Sequence, residues 1–459
     1  MGMTISEKIL ARASGQPSAR AGDIVWAKVD KAMMDDILGL RVEIAEKLKL
    51  LGAKIWDPER VTIISDHYTP PANAKQAEIV KFTREWAADN GVEHYYEFAG
   101  PCHQVMVEQG RVAPGEVVVG TDSHTCTYGA LGAFATGIGS TEMLGVLATG
   151  EIWLKVPQTI RLRFDGALQP GVMAKDVALK AIGAVGHNGA TYKAMEFCGT
   201  TFQSMIMDER LCVANMAVEA GAKNGLIPYD GITQTYLREL GVDGGYPYES
   251  DPDAVYCQDL HFDAGSLEPL CACPHEVDNV APVRQVSGVA IHQAYLGSCT
   301  GGRYHDLAQA AALLRGKKIA KGIRLLVSPA SREIWERCAR EGILTSLSEA
   351  GATVLGSGSS RETAPLTLRA LGIKTIVAQS YARIFYRNCI NLGILAVECA
   401  GTGSISEGDQ LEIDYQQGVI HDRTTGEELP CDPIPDHIME LVARGGLVEY
   451  LKERIQKNA

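Results

Sequence analysis

The sequence has no Cys-x-x-Cys pair, although it carries 12 cysteines in 459 residues. The thiols are scattered, and Cys271-Ala272-Cys273 is the one close pair. Zinc-ribbon spacing is therefore excluded, and so is the disulfide framework of a small secreted domain. Scattered thiols of this kind are expected as small buried hydrophobes in a reducing cytoplasm. An excess of basic residues is missing too: 43 Lys and Arg face 56 Asp and Glu, a net charge of -13. That balance argues against a general nucleic-acid or anionic-membrane surface. It leaves room for an anionic small substrate, which needs only local arginines and helix N-termini. No apolar stretch reaches the roughly 20 residues that span a bilayer. No secretory pattern opens the chain, because Glu7, Lys8 and Arg12 interrupt any apolar run. Met1-Gly2-Met3-Thr4-Ile5-Ser6 fits a loose myristoylation pattern. Thr4-Ile5-Ser6-Glu7 reads better as a capping box opening a helix over Ser6 to Ala13. Internal repeats and low-complexity tracts are absent.

What is present is an ordinary globular composition, 46% hydrophobic and 22% charged, in a chain too long for one core. Residues 1–285 alternate β-branched strands with amphipathic helices, which implies α/β layers. Val61 to Ile64 reads as a strand ending at Ser65-Asp66-His67. Ala74 to Gly91, Met173 to Val185 and Cys212 to Ala222 read as helices. A second unit, 286–355, reads as βαβαβ: a strand at Val289 to Ile291, a turn Gly297-Ser298-Cys299-Thr300-Gly301-Gly302, a helix Tyr304 to Leu314, a strand Ile323 to Val327, a helix Ser331 to Glu341 and a strand Thr353 to Leu355. A third unit, 356–459, has a helix at Thr363 to Leu371, a strand at Lys374 to Ala378, a hairpin at Leu411 to Tyr415 and Gly418 to His421, and two terminal helices, Asp436 to Arg444 and Leu447 to Ile455.

The run Gly120 to Glu142 is the most informative. It sets Asp122, Ser123 and His124 directly after the strand-like Glu116-Val117-Val118-Val119. Polar groups just past a strand's carboxyl end sit where open α/β sheets place their chemistry. A plain turn and helix cap explains the same residue types about as well. Asp66-His67, taken singly, reads as a loop feature, and His103 is uninformative by itself. Glu196 lies among apolar neighbours in Met195-Glu196-Phe197-Cys198, so its carboxylate is expected to be paired or shifted in pKa. Glu219 reads as a structural helix carboxylate. Gly358-Ser359-Ser360-Arg361-Glu362 offers a capping box, backbone N–H groups for an anion and a guanidinium for a carboxylate.

In order along the chain, these segments resemble the aconitase superfamily, and in particular the large subunit of isopropylmalate or dimethylmalate dehydratases. Residues 1–355 resemble that subunit short of its C-terminal part. Residues 356–459 resemble part of the small, swivelling subunit, through Gly358 to Glu362, Tyr381 to Asn388 and Asp422 to Glu427. The resemblance implies three-layer α/β/α domains with a partial swivelling β/α domain fused behind them. It implies a hydro-lyase of leucine biosynthesis, dehydrating a 2- or 3-hydroxy dicarboxylate such as 3-isopropylmalate or 2,3-dimethylmalate. Ser359 is then the base that removes the proton α to a carboxylate. Asp66, His67, His103, Asp122, His124 and Glu196 surround the metal and move protons. Ser123, Ser360 and Arg361 contact substrate. Cys299 is one ligand of a [4Fe–4S] cluster whose open iron takes the leaving hydroxide. A separate small subunit or a second copy of the chain is the implied protein partner.

Three features depart from that pattern. The family's other two cluster thiols form a Cys-x-x-Cys just after the strand that here is Thr353 to Leu355, and this chain runs from Leu355 straight into Gly356-Ser357-Gly358. The Asn-Arg-x-Phe segment and the opening strands of the swivel domain are also absent. The alternative to the enzyme is thus a truncated, cluster-less protein that binds a dicarboxylate or assists assembly.

Overall fold

In the computed structural model, the described residues are 2–37, 42–355, 373–378, 389–390, 393–406, 408–434 and 436–445. The chain divides into two compact units, Met1–Gly358 and Ser359–Ala459.

Three parallel sheets organise the first unit. The strands Val61–Ser65 and Val117–Gly120 are continuous apolar or small-residue runs that are buried throughout. That is the pattern of strands covered on both faces in a parallel α/β sheet. They belong to a five-stranded sheet in the order Tyr95–Glu97, Val61–Ser65, Lys31–Asp35, Val117–Gly120, Phe134–Gly137. Every neighbouring pair in it is parallel. The chain starts in the middle, at Lys31–Asp35, builds outward to Tyr95–Glu97, then returns to the other side of Lys31–Asp35. The direction of winding therefore reverses between Lys31–Asp35 and Val117–Gly120. At such a switch point the loops leaving the strands' carboxyl ends part, and a crevice opens.

The second sheet, also parallel, runs Asn224–Leu226, Lys193–Cys198, Gln158–Asp165, Gln258–Asp263. Its core is continuous with the helices Ala174–Val185 and Met207–Met216, through residues such as Phe164, Phe197, Ile182 and Leu211. The third sheet is smaller: Gln293–Gly297, Arg324–Ser328 and the two-residue Thr353–Val354, all parallel. Its own core gathers Leu307, Val327, Ile334, Cys338 and Leu347.

The N-terminal helix spans Ile5–Ser14 and is opened by a Thr4/Glu7 capping box, as the sequence indicates. The helix expected over Met173 to Val185 begins one residue later, at Ala174. Three expectations are corrected. Val289 to Ile291 is no strand; both side chains are exposed, and the ladder begins at Gln293, after Arg324 N–H bonds to the carbonyl of His292. Their β-branched propensity meets no neighbouring strand, and propensity without cross-strand packing does not make a strand. The helix expected to begin at Cys212 begins at Met207 and tightens into a 3-10 turn at Ala217–Ala220. A further helix, Ile343–Glu349, precedes the last strand.

In the second unit, Thr375–Ala378 pairs in parallel with Leu395–Glu398. Leu411–Asp414, Val419–Asp422 and Glu428–Pro430 form an antiparallel meander. Val397, Cys399, Ile420, Leu429 and Ile434 make its core, and the helix Asp436–Ala443 packs there through Ile438, Met439 and Val442. The segments read as helices at Thr363 to Leu371 and Leu447 to Ile455 lie outside the described residues. Among the described residues, no helix is long and apolar enough to cross a membrane.

Candidate active site

The carboxyl ends of three adjacent strands deliver the polar residues of the switch point. Lys31–Asp35 ends in Asp35-Asp36, Val61–Ser65 in Asp66-His67, and Val117–Gly120 in Thr121-Asp122-Ser123-His124. The short helix Cys102–Glu108 adds His103 from the same side. Asp122 caps the Ser123–Leu131 turn by accepting from His124 N–H at 2.7 Å. The cap and the chemistry that the sequence presents as rivals thus belong to one side chain. Gly137, on the neighbouring strand, is needed for closeness: a Cβ there would lie 2.8 Å from the carbonyl oxygen of Asp122.

Three imidazoles converge, each beside at least one carboxylate. His67 Nδ1 lies 2.7 Å from Asp66 Oδ1 and 3.4 Å from Asp36 Oδ1. Its Nε2 is 3.9 Å from Asp122 Oδ2. His103 Nδ1 is 3.5 Å and His124 Nδ1 3.4 Å from Asp122 Oδ1. His124 Nε2 is 3.7 Å from Glu219 Oε1. The His103 and His124 rings stand 5.5 Å apart between centroids.

Backbone donors hold the acids in place. Asp66 Oδ2 accepts from Cys102 N–H at 2.6 Å. Asp36 accepts from His67 N–H and Tyr68 N–H, at 3.0 and 3.3 Å. Asp35 accepts from Ile37 N–H and the Thr121 hydroxyl.

These contacts set the charges. Burial opposes protonation of His67, but Asp66 and Asp36 outweigh it and carry the pKa up to about 11. His124 goes to about 10, with Asp122 and Glu219 overcoming burial. His103 is also raised against burial, by Cys299 and Asp122. Asp122 is held well below the usual carboxylate range; burial acts against this, and the two imidazoles win. Asp66 goes the other way, because burial dominates. The site is a set of imidazoliums neutralised by buried carboxylates, a suitable host for an anionic ligand.

Cys299 reaches this cluster from the third sheet. It follows Ser298, whose φ of 70° is rare for a non-glycine residue. Gly302 makes the tight turn possible, since a Cβ there would lie 2.6 Å from the carbonyl oxygen of Ser328. Cys299 Sγ is buried, 3.7 Å from Asn215 Oδ1 and 3.6 Å from Ser298 Oγ. Burial alone would raise the thiol's pKa; His103 and His124 bring it down to about 5. The other thiols nearby behave differently. Cys126 donates to the carbonyl of Asn215 and Cys212 to that of Thr300, both at 3.5 Å, and burial raises both pKa values.

Among the sequence-derived candidates, Asp66, His67, His103, Asp122, His124 and Cys299 come together. Ser123 is exposed at the rim, 3.3 Å from His124 Nδ1. Glu196 is not brought there by its contacts. Its buried carboxylate accepts from Ser250 and Tyr256, at 2.7 and 3.1 Å, and burial raises its pKa. The carboxylate beside His124 is Glu219, which sequence reasoning set aside as structural. Its contact depends on the 3-10 turn at Ala217–Ala220, which no residue spacing in the sequence signals. Ser359, Ser360 and Arg361 lie outside the described residues.

Among the described residues, two groups of three donor side chains converge within 4.8 Å: Cys102, His103 and Asp122, and Asp35, Asp36 and His67. Neither contains two cysteines. The three-thiolate set that a [4Fe–4S] cluster takes from its protein is therefore not matched by this pocket.

The aconitase family (aconitate hydratase) matches residues 7–288 and 283–364, and the aconitase C-terminal domain matches residues 350–402. The chain is 48% identical over 356 residues to the 3-isopropylmalate dehydratase large subunit 1 of Methanopyrus kandleri, covering 77% of this chain and 84% of that one. It is 45% identical over 356 residues to the large subunit from Moorella thermoacetica, with the same coverage, 77% and 84%. Among solved structures, 3-isopropylmalate dehydratase (leuD) of Methanocaldococcus jannaschii aligns at 31% identity over 31% of this chain and 71% of its own, with a TM-score of 0.20. Thermococcus kodakaraensis aconitase X aligns at 13% identity over 79% and 85%, with a TM-score of 0.45. The family match and the large-subunit relatives place the chain in the aconitase family of hydro-lyases, similar to the 3-isopropylmalate dehydratase large subunits.

Proposed function

We propose that this chain dehydrates a small hydroxy dicarboxylate of the 3-isopropylmalate kind, reversibly, at the crevice of the five-stranded sheet. The observation that carries this is the convergence of His67, His103 and His124 with their carboxylates. Dehydration needs an acid for the departing hydroxyl and a base for the proton α to a carboxylate. His67 has its Nδ1 tied to Asp66, which leaves Nε2–H as the atom that can donate to a hydroxyl. His124 and His103 supply positive charge toward a dianionic substrate, with Asp122 and Glu219 fixing their rings. By its resemblance, Ser359 is the base, and Ser360, Arg361 and Ser123 contact the carboxylates.

The domains follow the same reading: two aconitase-like domains in 1–285, a shortened third in 286–355 and a partial swivel domain in 356–459. The 12 free cysteines suit a cytoplasmic setting. The small-subunit function is supplied by residues 356–459 or by a separate small subunit.

The family's [4Fe–4S] cluster would supply a Lewis acid for the departing hydroxide. The residues present do not fit it, since Cys299 is the one low-pKa thiol at the pocket. The same single thiol favours a second reading, a binding or assembly protein without turnover. Purified anaerobically, the chain is expected to form the unsaturated diacid from 3-isopropylmalate, seen as rising absorbance of the conjugated double bond. No turnover on 3-isopropylmalate or 2,3-dimethylmalate, alone or with a separate small subunit, would leave the second reading.

A further inference from the structure

We propose that the strand Glu151–Lys155 pairs edge to edge with the same strand of a second copy of this chain, antiparallel, across a two-fold axis at Trp153. That strand and Ile24–Lys28 form a two-stranded antiparallel ribbon of their own in the first unit. The ribbon's inner face, Val25, Ala27, Ile152 and Leu154, is buried in a core shared with Ile5, Ile9 and Leu10 of the N-terminal helix. Its outer face carries Ile24, Trp26 and Trp153, which are 68%, 63% and 48% exposed. Trp26 stands directly opposite Trp153, and Lys28 opposite Glu151. Contiguous apolar patches rimmed by polar residues mark interaction sites.

The ladder says which edge is open. Val29 N–H donates to the carbonyl of Gly150, and Val156 N–H to that of Asp23. Backbone groups alternate sides along a strand. Those of Ile152 and Leu154 therefore face Ile24–Lys28, and those of Glu151, Trp153 and Lys155 face away. Among the described residues, no other strand pairs on that side. Glu151 N–H donates to Thr149 Oγ1 at 3.2 Å, and its carbonyl accepts from the same hydroxyl at 3.4 Å. An open edge of this kind is a template for another strand.

The sequence of the edge selects that strand. Glu151-Ile152-Trp153-Leu154-Lys155 has an acid at one end, a base at the other and tryptophan at the centre. Laid antiparallel on itself, it sets Glu151 against the copy's Lys155, Lys155 against the copy's Glu151, and Trp153 against the copy's Trp153. All three positions turn their backbone groups outward, so the register that matches the charges also closes the N–H···O pairs. A parallel copy in register would oppose like charges, which is destabilising. A lysine alone would guard the edge against any neighbour. The glutamate four residues before it turns that guard into a match for an antiparallel copy. The joined sheet has Trp26, Trp153 and their copies in one row across its outer face, where aromatic pairs stabilise. Such a contact is self-complementary and closes as a dimer. One strand pair with its flanking side chains lies at the small end of interfaces, under about 1,200 Å² in total, so association in the micromolar range is expected.

This inference rests on the ribbon and is independent of what the crevice binds. Sedimentation equilibrium of the purified full chain, from about 1 to 100 µM, reads it. The mass should rise from 49.4 kDa toward twice that value. Glu151→Lys leaves a lysine at both ends of the strand, and Lys155→Glu a glutamate at both. For either variant alone the dissociation constant should therefore rise about tenfold or more. Mixed in equal amounts, the two variants should associate with each other, and the double variant Glu151→Lys/Lys155→Glu should dimerise by itself. Both side chains are exposed, so the fold should be kept, which circular dichroism checks. A chain that stays monomeric over the whole range overturns the proposal, whatever else then covers the ribbon. So does a dimer that both single variants leave unweakened, since another surface then holds it. Failure of the two variants to associate when mixed overturns it as well.

Discussion

The five-stranded sheet that carries the histidines and the three-stranded sheet that carries Cys299 are unequally built. In the first, Met33, Ile63, Ile64, Val118 and Val119 have no exposed surface, and each polar residue at the strand ends is bonded to a neighbour. In the second, the edge strand Gln293–Gly297 is largely exposed, Tyr295 is at the surface and the last strand has two residues. The histidine half of the site rests on a complete core. The cysteine half rests on a small sheet whose partner thiols are missing from the sequence. The histidines and carboxylates at the strand ends are therefore expected to hold their geometry more firmly than the turn that carries Cys299.

The largest effect should come from the histidine half. His67→Ala removes the imidazolium between Asp66, Asp36 and Asp122 and leaves their charges uncompensated. Turnover of 3-isopropylmalate should fall by about 10²–10⁴-fold, the usual range for a lost general acid. Cys299→Ser, tested beside it, should cost less if the pocket works without a cluster. Equal losses would put the two halves on the same footing.

Stability should divide the same way. Ile63→Ala, in the fully buried strand, should cost about 2–5 kcal/mol in urea unfolding. Leu296→Ala, half-buried in the edge strand, should cost under about 2 kcal/mol. The reverse order would break the comparison.

The sequence made the two halves unequally legible too. Asp122-Ser123-His124 could be placed at a strand end because Val117 to Val119 is an uninterrupted β-branched run. The parallel fold followed from the same alternation. The strand before Cys299 was misplaced because Val289 and Ile291 look like strand residues, and only the register of the ladder says otherwise. Glu196 and Glu219 were exchanged in importance for a related reason. An acid among apolar residues is conspicuous in a sequence, whereas contact with His124 depends on how the Met207–Met216 helix tightens before Glu219.

The joint between the two halves should be pH-sensitive. Ser331 Oγ and Gln104 Nε2 both donate to Glu108 Oε1, at 2.6 and 2.9 Å, and Arg303 Nε donates to Gln104 Oε1 at 3.1 Å. Burial raises the Glu108 carboxyl to about 7, against those hydrogen bonds. The folded state therefore prefers it protonated, relative to the unfolded chain at 4.5. Its stabilisation is complete below the unfolded value and is lost as pH rises through the folded one. Between pH 5 and 8.5 the loss should reach about 2–3 kcal/mol. Glu108→Gln should flatten that part of the profile in thermal melts, and an unchanged slope would show the joint to be insensitive.

The smallest effect tests the residue that the sequence reading passed over. Glu219→Gln keeps the shape and removes the charge near His124 Nε2. Asp122 remains, so the imidazole should stay protonated at neutral pH while its pKa falls from about 10. An NMR titration of the His124 ring reads this directly. Turnover should drop by about tenfold, less than for His67→Ala, because Glu219 acts through another side chain. If the ring's pKa holds at its original value, the 3.7 Å approach of Glu219 carries no electrostatic weight, and Asp122 alone organises the pair.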